Sequence, residues 1–225
     1  MRLRNIPGAF EAIQEHPMSV QWDDLGEEEK AGFRGHWHEM FGNQNPIHIE
    51  IGMGKGQFIM NLARRNPDIN YVGIERYSSV LLRAIEKFDT EEFNDLENVR
   101  FVCMDASELP AIFEKDEVAQ IYLNFSDPWP KSRHAKRRLT SKEFLACYEK
   151  VLKNGGKLEF KTDNTGLFDF SLEQMREVEA IWKLEQYTYD LHHNDEMNQG
   201  NIMTEYEQKF SEMGNPIHKM IAYLK

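Results

Sequence analysis

The sequence predicts an α/β fold: one mostly parallel sheet with helices on both faces. Three observations predict it. From residue 47 onward, short β-rich runs alternate with helix-length amphipathic segments, as in successive strand–helix–strand units. The runs IHIEIG and IYLNF are apolar almost throughout or mixed rather than strictly alternating, as strands covered on both faces are. KNGG, residues 153–156, reads as a glycine stop between a helix and the next strand.

Residues 1–46 read as an extension, because so short a piece builds little core alone. Phe33, Trp37, Met40 and Phe41 recur at helical spacing and would pack on the main domain, with Gly32 and Gly35 weakening that helix. The main domain, 47–225, then runs through IHIEIG, the helix QFIMNLARRNP, YVGIE, the helix SSVLLRAIEKF, VRFVCMD, QIYLNFSD, the helix SKEFLACYEKVLKNGG and KLEFKTD. A helix near 168–180 follows, and WKLEQYTYDL with PIHKMIAYLK forms a terminal antiparallel pair. The acids of EKFDTEEFNDLE suit a solvated helix end and loop.

The 225 residues can bury roughly 70% of their unfolded surface, so a full core is available. The chain has no apolar run near the ~18 residues of a membrane span and no apolar leader in MRLRNIPGAFEAIQEHP, which points to the cytoplasm and away from membranes. Cys103 and Cys147 lack ligand spacing and read as free thiols. HWH at 36–38 and HH at 192–193 lack partner ligands, so no metal is expected. Oligomeric state, monomer or homodimer, stays open.

In EIGMGKG, a strand carrying Glu50 passes into Gly52, Gly54 and Gly56, where glycine permits a tight turn and close approach of a ligand. The spacing is neither GxGxxG nor a P-loop. Glu75 closes YVGIE, Asp105 closes VRFVCMD and Asp127 follows IYLNFSD, so four carboxylates line one crevice at the sheet's carboxyl edge. Solvated strand-end acids are the bland alternative. An anionic crevice opposes a pyrophosphate and suits a ligand with positive charge and hydroxyl donors. S-adenosylmethionine has those features: an ammonium, a sulfonium, ribose hydroxyls for Glu75 and an adenine amino group for Asp105. NAD and ATP fit poorly.

The net charge is −11, yet five cations fall within eight residues directly behind Asp127: Lys131, Arg133, Lys136, Arg137 and Arg138, with His134 among them. Local charge governs docking when the screening length is about 8 Å. The segment reads as a phosphate grip or, more blandly, as a solvated loop leading into a helix capped by Thr140 or Ser141. Trp129, held between Pro128 and Pro130, is either a base-stacking ring or a hydrophobic plug.

EIGMGKG, GIERYSS, NFSDPWPKSRHAKRRL, FKTDN and TEYEQKF, taken together, resemble the bacterial tRNA (guanine-N7)-methyltransferases from about residue 33 to residue 225. The resemblance implies the Rossmann-like class I methyltransferase fold, seven strands with the last antiparallel, and methyl transfer to a variable-loop guanine of tRNA. It implies cofactor acids at Glu50, Glu75, Asp105 and Asp127. Substrate contacts are implied at Lys131, Asp163, Thr204, Tyr206 and Glu207. The first forty or so residues match less well, which leaves an RNA role for Arg2 and Arg4 open.

Guanine N7 already presents a lone pair, so the reaction needs positioning and nearby negative charge rather than a general base. Asp127 is the first candidate for that charge. Asp163 and Glu207 are expected to accept from the guanine Watson–Crick edge, which excludes adenine. Two other readings remain open: methylation of an exocyclic amine, whose Asp/Asn-Pro-Pro-aromatic clamp partly resembles Asp127-Pro128-Trp129, and a tRNA-binding protein without catalysis.

Overall fold

The computed structural model describes residues 5–225, and Arg2 and Arg4 lie outside the described residues. The strands are β1 Ser19–Gln21, β2 Ile47–Ile51, β3 Asn70–Glu75, β4 Val99–Cys103, β5 Val118–Asn124, β6 Leu152–Thr162, β7 Trp182–Thr188 and β8 His218–Leu224. The helices are α1 Ala9–Glu15, α2 Glu27–Ala31, α3 Trp37–Phe41, α4 Gln57–Arg65, α5 Ser78–Phe88, α6 Leu109–Ile112, α7 Lys142–Tyr148, α8 Thr165–Glu177, α9 Asp195–Asn198 and α10 Glu205–Glu212. The strands form one sheet of order β1-β4-β3-β2-β5-β6-β8-β7. All neighbours are parallel except that β8 runs antiparallel to both β6 and β7.

Strand alternation sorts the side chains. Ile47, Ile49, Ile51, Val72, Ile74, Ile121, Leu123, Leu158 and Phe160 enter one core with residues of α3, α6, α7 and α8. The opposite core joins Tyr71, Phe101 and Tyr122 to residues of α1, α4 and α5. By the same period of two, Glu50, Glu75, Tyr122, Asn124, Glu159 and Lys161 share this second face. Chain order reverses between β2 and β5, and at this switch point Ile51 pairs with both Ile74 of β3 and Leu123 of β5. A ligand crevice forms there, outside the carboxyl ends.

Three expectations need correction. The sheet has eight strands rather than seven, because Ser19–Gln21 adds a parallel edge strand beside β4. The helix before KNGG ends at Tyr148, and Gly155, with φ 72°, lies in a bulge of β6 instead: Val118 pairs with Leu152, and the next pairing is Gln120 with Lys157. The helix expected near 168–180 spans Thr165–Glu177, started by Asn164, whose side chain accepts from the Leu167 N–H at 2.8 Å. The terminal pair is present, with Trp182 opposite Leu224.

Residues of the first 46 reach the main core directly. Trp37 is fully buried, stacks on Phe113 at 5.1 Å and donates its indole N–H to the Ile112 carbonyl at 2.9 Å. Phe33, Met40 and Phe41 pack around the same cluster. Gly35 interrupts the helical run at φ 82°. Trp37→Ala should therefore destabilise the whole chain by about 3–5 kcal/mol in urea denaturation. A loss under about 1 kcal/mol would show that this segment contributes no core.

Candidate donor and RNA crevice

Glu50 is 2% exposed. Its Oε1 accepts from the Asn124 amide of β5 at 2.9 Å, but Oε2 is buried with no hydrogen-bond partner among the described residues. Burial pushes its carboxyl up to about 8; the Asn124 hydrogen bond and the Lys161 charge oppose the shift, and Glu75 adds to it. Glu75 is also buried, its Oε2 accepting from the Gly54 N–H and its Oε1 from the Tyr77 N–H, both at 3.1 Å. Burial raises it as well, and the Asp127 charge acts in the same direction, so Glu50, Glu75 and Asp127 belong to one electrostatic cluster.

The glycine loop is built for close approach. Gly54 has φ 59°, and a Cβ there would meet nothing within 4 Å, so the backbone faces open space. Gly73 does the complementary task beneath it: a Cβ there would run into Met53 Sδ, so glycine lets Met53 and the loop rest on β3 without displacement. Gly52 donates to the Ile74 carbonyl at 2.8 Å and fixes the turn. A desolvated acid with a free oxygen beside exposed loop backbone fits an ammonium-bearing ligand such as S-adenosylmethionine.

Asp105 stands on the other side of Glu75. Its Oδ1 accepts from the Ser107 N–H and hydroxyl at 2.9 and 2.7 Å, and its Oδ2 pairs with Arg76 at 3.1 Å. Burial would raise its carboxyl, but these partners hold it below the ordinary value. Arg76 thus covers the acid expected to meet adenine.

Two strained non-glycine residues bracket Asp127: Phe125 at φ 51° and Trp129 at φ 41°. Such left-handed conformations cost about 1–3 kcal/mol each and persist only where surroundings enforce them. At Trp129 the enforcing residue is Arg138, whose Nε and Nη2 donate to the carbonyls of Pro128 and Trp129 at 2.9 and 3.1 Å. Its guanidinium also lies 4.3 Å over Phe170. The expectation that Arg138 grips phosphate is corrected: its donors hold the loop that presents Asp127.

Arg137 sits over the Trp129 ring at 5.0 Å, and His134 meets that ring edge-on at 5.7 Å. Lys131, Arg133, Lys136 and Arg137 are exposed along the 3₁₀ turn Ser132–Arg137, and Lys136 pairs only loosely with Glu143 at 3.5 Å. Ser141, not Thr140, caps α7; the Thr140 hydroxyl is buried 2.6 Å from that of Ser171.

On the substrate side, Asp163 is half-buried just past β6. Thr204 caps α10, accepting from the Glu207 N–H at 2.9 Å. Tyr206 is 57% exposed and lies between Phe125 and Phe210, with centroids at 6.3 and 5.9 Å. Glu207 requires correction. It is fully buried, with Oε2 on Lys161 Nζ at 2.5 Å and Oε1 on Asn201 and His192 at 2.6 and 3.0 Å, so no oxygen is presented to a guanine edge.

Asn124, Lys161 and Arg76 were not expected. An asparagine closing IYLN and a lysine inside the apolar run KLEFKT were the available signals. Among the described residues, no three potential ligands cluster as a metal site. His36 pairs with Glu39, the ring of His38 meets the Asn45 carbonyl, and His193 meets Asp190. Cys103 and Cys147 are free thiols that burial pushes up to about 11. No helix of the described residues is long and apolar enough to cross a membrane.

Two outcomes follow from this geometry. Because Glu50 titrates higher in the folded chain than in the unfolded one, it withdraws stability as pH rises from the unfolded carboxylate value toward 8. Without ligand, Glu50→Gln should therefore melt progressively higher than the wild type between pH 5 and pH 8; a pH-independent difference would contradict neutral burial. Arg138→Ala should keep the melting temperature within about 3 °C, since one surface-reaching clamp is lost, while changing Trp129 fluorescence. Unaltered emission would show that the loop holds itself.

A family profile described as "Putative methyltransferase" matches residues 44–220. The tRNA (guanine-N(7)-)-methyltransferase of Lachnoclostridium phytofermentans is 58% identical over 223 residues, covering 99% of this chain and 98% of that one. The Bacillus subtilis protein of the same name is 47% identical over 219 residues, covering 97% of each. Among solved structures, an antibiotic-related methyltransferase superposes with TM-score 0.61 at 18% identity, covering 93% of this chain and 96% of that one. The 16S rRNA methyltransferase KamB gives 0.64 at 15%, covering 85% and 93%. These two establish the fold alone; the full-length identities establish more, and the chain belongs to the tRNA (guanine-N(7)-)-methyltransferase family.

Proposed function

We propose that this chain transfers the methyl group of S-adenosylmethionine to N7 of a variable-loop guanine in tRNA, with Asp127 as the carboxylate nearest the reacting base. The observation that carries the reading is the unpartnered, buried Glu50 Oε2 beside the open glycine loop, with Asp127 in the same electrostatic cluster and four exposed cations directly behind it. Residues 47–225 supply this crevice, while the described part of the extension, residues 5–46, packs on their core. The protein acts in the cytoplasm, where its substrate is.

Glu50 would receive the donor's ammonium, Glu75 its ribose hydroxyls, and Asp105 its adenine amino group once Arg76 moves aside. The bound donor supplies a methyl group made electrophilic by a sulfonium. Guanine N7 attacks with its own lone pair, so no side chain need remove a proton first. The purine gains positive charge as the bond forms, and a carboxylate held rigidly beside it lowers that barrier without reorganising. Phe125, Trp129 and Arg138 provide the rigidity at Asp127. Asp163, Thr204 and Tyr206 would orient the base, Tyr206 offering an exposed ring face.

Lys131, Arg133, Lys136 and Arg137, with His134, would neutralise RNA phosphates. With Arg138 withdrawn from the grip, log K against log salt should fall with a slope no steeper than about −3.6. The exocyclic-amine alternative gains nothing from the structure: Trp129 stands where that clamp has its second proline, at a strained φ under Arg137.

Incubation with labelled donor and bulk tRNA, followed by nucleoside analysis, should yield 7-methylguanosine. Another methylated nucleoside, or none, would overturn the reading. Asp127→Ala should lower kcat by about 100-fold or more at saturating donor, as loss of a charge felt mainly in the transition state does. Arg133→Glu with Lys136→Glu should instead weaken tRNA binding alone; equal loss of donor binding would contradict the division of the crevice.

A further inference from the structure

Lys161 is a lysine with no exposed surface, in the middle of a sheet and two strands from the donor acid. Its register partner on β5 is Asn124, whose amide holds Glu50. Its ammonium lies 5.0 Å over the ring of Phe58 in α4, the helix that follows the glycine loop. Three acceptors surround it: Asn201 Oδ1 at 3.0 Å, the Ile202 carbonyl at 2.9 Å and Glu207 Oε2 at 2.5 Å. All three come from residues 201–207, which carry Thr204 and Tyr206. The Lys161 carbonyl also accepts from the N–H of Phe125, the ring stacked on Tyr206.

Burial works against both charges and lowers the Lys161 ammonium, while Lys161, His192 and Asn201 together hold the Glu207 carboxyl below its ordinary value. Removing either partner alone would strand a buried charge, whereas replacing both by apolar groups of similar volume is tolerated.

We propose that Lys161 is a positioning residue for the RNA substrate: its buried ammonium holds the 201–207 segment, with Thr204 and Tyr206, against the crevice, and Glu207 serves the substrate through that ammonium rather than by touching the base. The claim rests on the tRNA-methylation reading for its substrate. It separates two meanings of Glu207: as an acceptor facing guanine, it acts on the base and its loss leaves the segment in place; as an anchor, it acts through Lys161 and its loss frees the segment.

The test compares the wild type, Glu207→Gln, and the double variant Lys161→Met with Glu207→Leu. In the double variant, tRNA KM should rise about tenfold or more, with kcat and the calorimetric Kd for S-adenosylmethionine each within about threefold. Amide hydrogen exchange over residues 201–212 should quicken about tenfold while β2 and α4 keep their protection. Glu207→Gln, which leaves the Lys161 ammonium without its counter-charge and turns one of two accepting oxygens into a donor, should raise tRNA KM and quicken exchange over residues 201–212 at least as much as the double variant does. Unchanged exchange in the double variant, a fall in kcat at constant tRNA KM, or wild-type exchange in Glu207→Gln would each overturn the proposal. If the wild type makes no 7-methylguanosine, the functional reading fails, and the exchange measurement still decides whether Lys161 anchors the segment.

Discussion

The desolvated carboxylate of Glu50 is the constraint on which the rest of the crevice depends. A carboxylate without water costs several kcal/mol unless it is paired or neutral. Here one oxygen has the Asn124 amide and the other has nothing. The surrounding architecture sustains that state: Gly73 allows Met53 to close down on β3, Asn124 ends β5 at the switch point, and Lys161 of β6 places a compensating charge across β5 without contacting Glu50. The result is a neutral acid at rest that gives up its proton when it pairs with a cation.

A second constraint operates at Asp127. Rigidity is what a carboxylate needs in order to favour charge that develops only during reaction. The chain achieves it with two left-handed bulky residues and one arginine that links the backbone of the loop to Phe170 on α8. The basic segment is therefore divided in role. Its last arginine builds the loop that carries Asp127, while its exposed members face solvent. This division explains how an acidic protein can carry a cationic lip directly behind Asp127: part of the charge is structural.

Much of this was legible in the sequence, and the limits have physical reasons. Strand ends are marked by a change of period, so Glu50, Glu75, Asp105 and Asp127 could be placed at one edge before any coordinates. The eighth strand was not legible, because Ser19–Gln21 is three residues long and shows no periodicity. Gly155 misled because a glycine after a helical run reads as a stop, and only strand register reveals the bulge. Arg138 and Glu207 were misassigned for a shared reason: a charge in a motif does not say whether its partner is a ligand or the chain itself. Lys161 escaped notice because a lysine in a strand ordinarily faces water.

Proton release on donor binding is the most direct measure of the Glu50 claim. Calorimetric titration with S-adenosylmethionine at pH 7, in buffers of differing ionisation enthalpy, counts the protons exchanged. A carboxyl lifted to about 8 and then paired with an ammonium must lose its proton, so about one proton should be released per donor bound, and Glu50→Gln should abolish the release. Binding heats independent of buffer would mean that Glu50 was already ionised, and the crevice would need a different explanation.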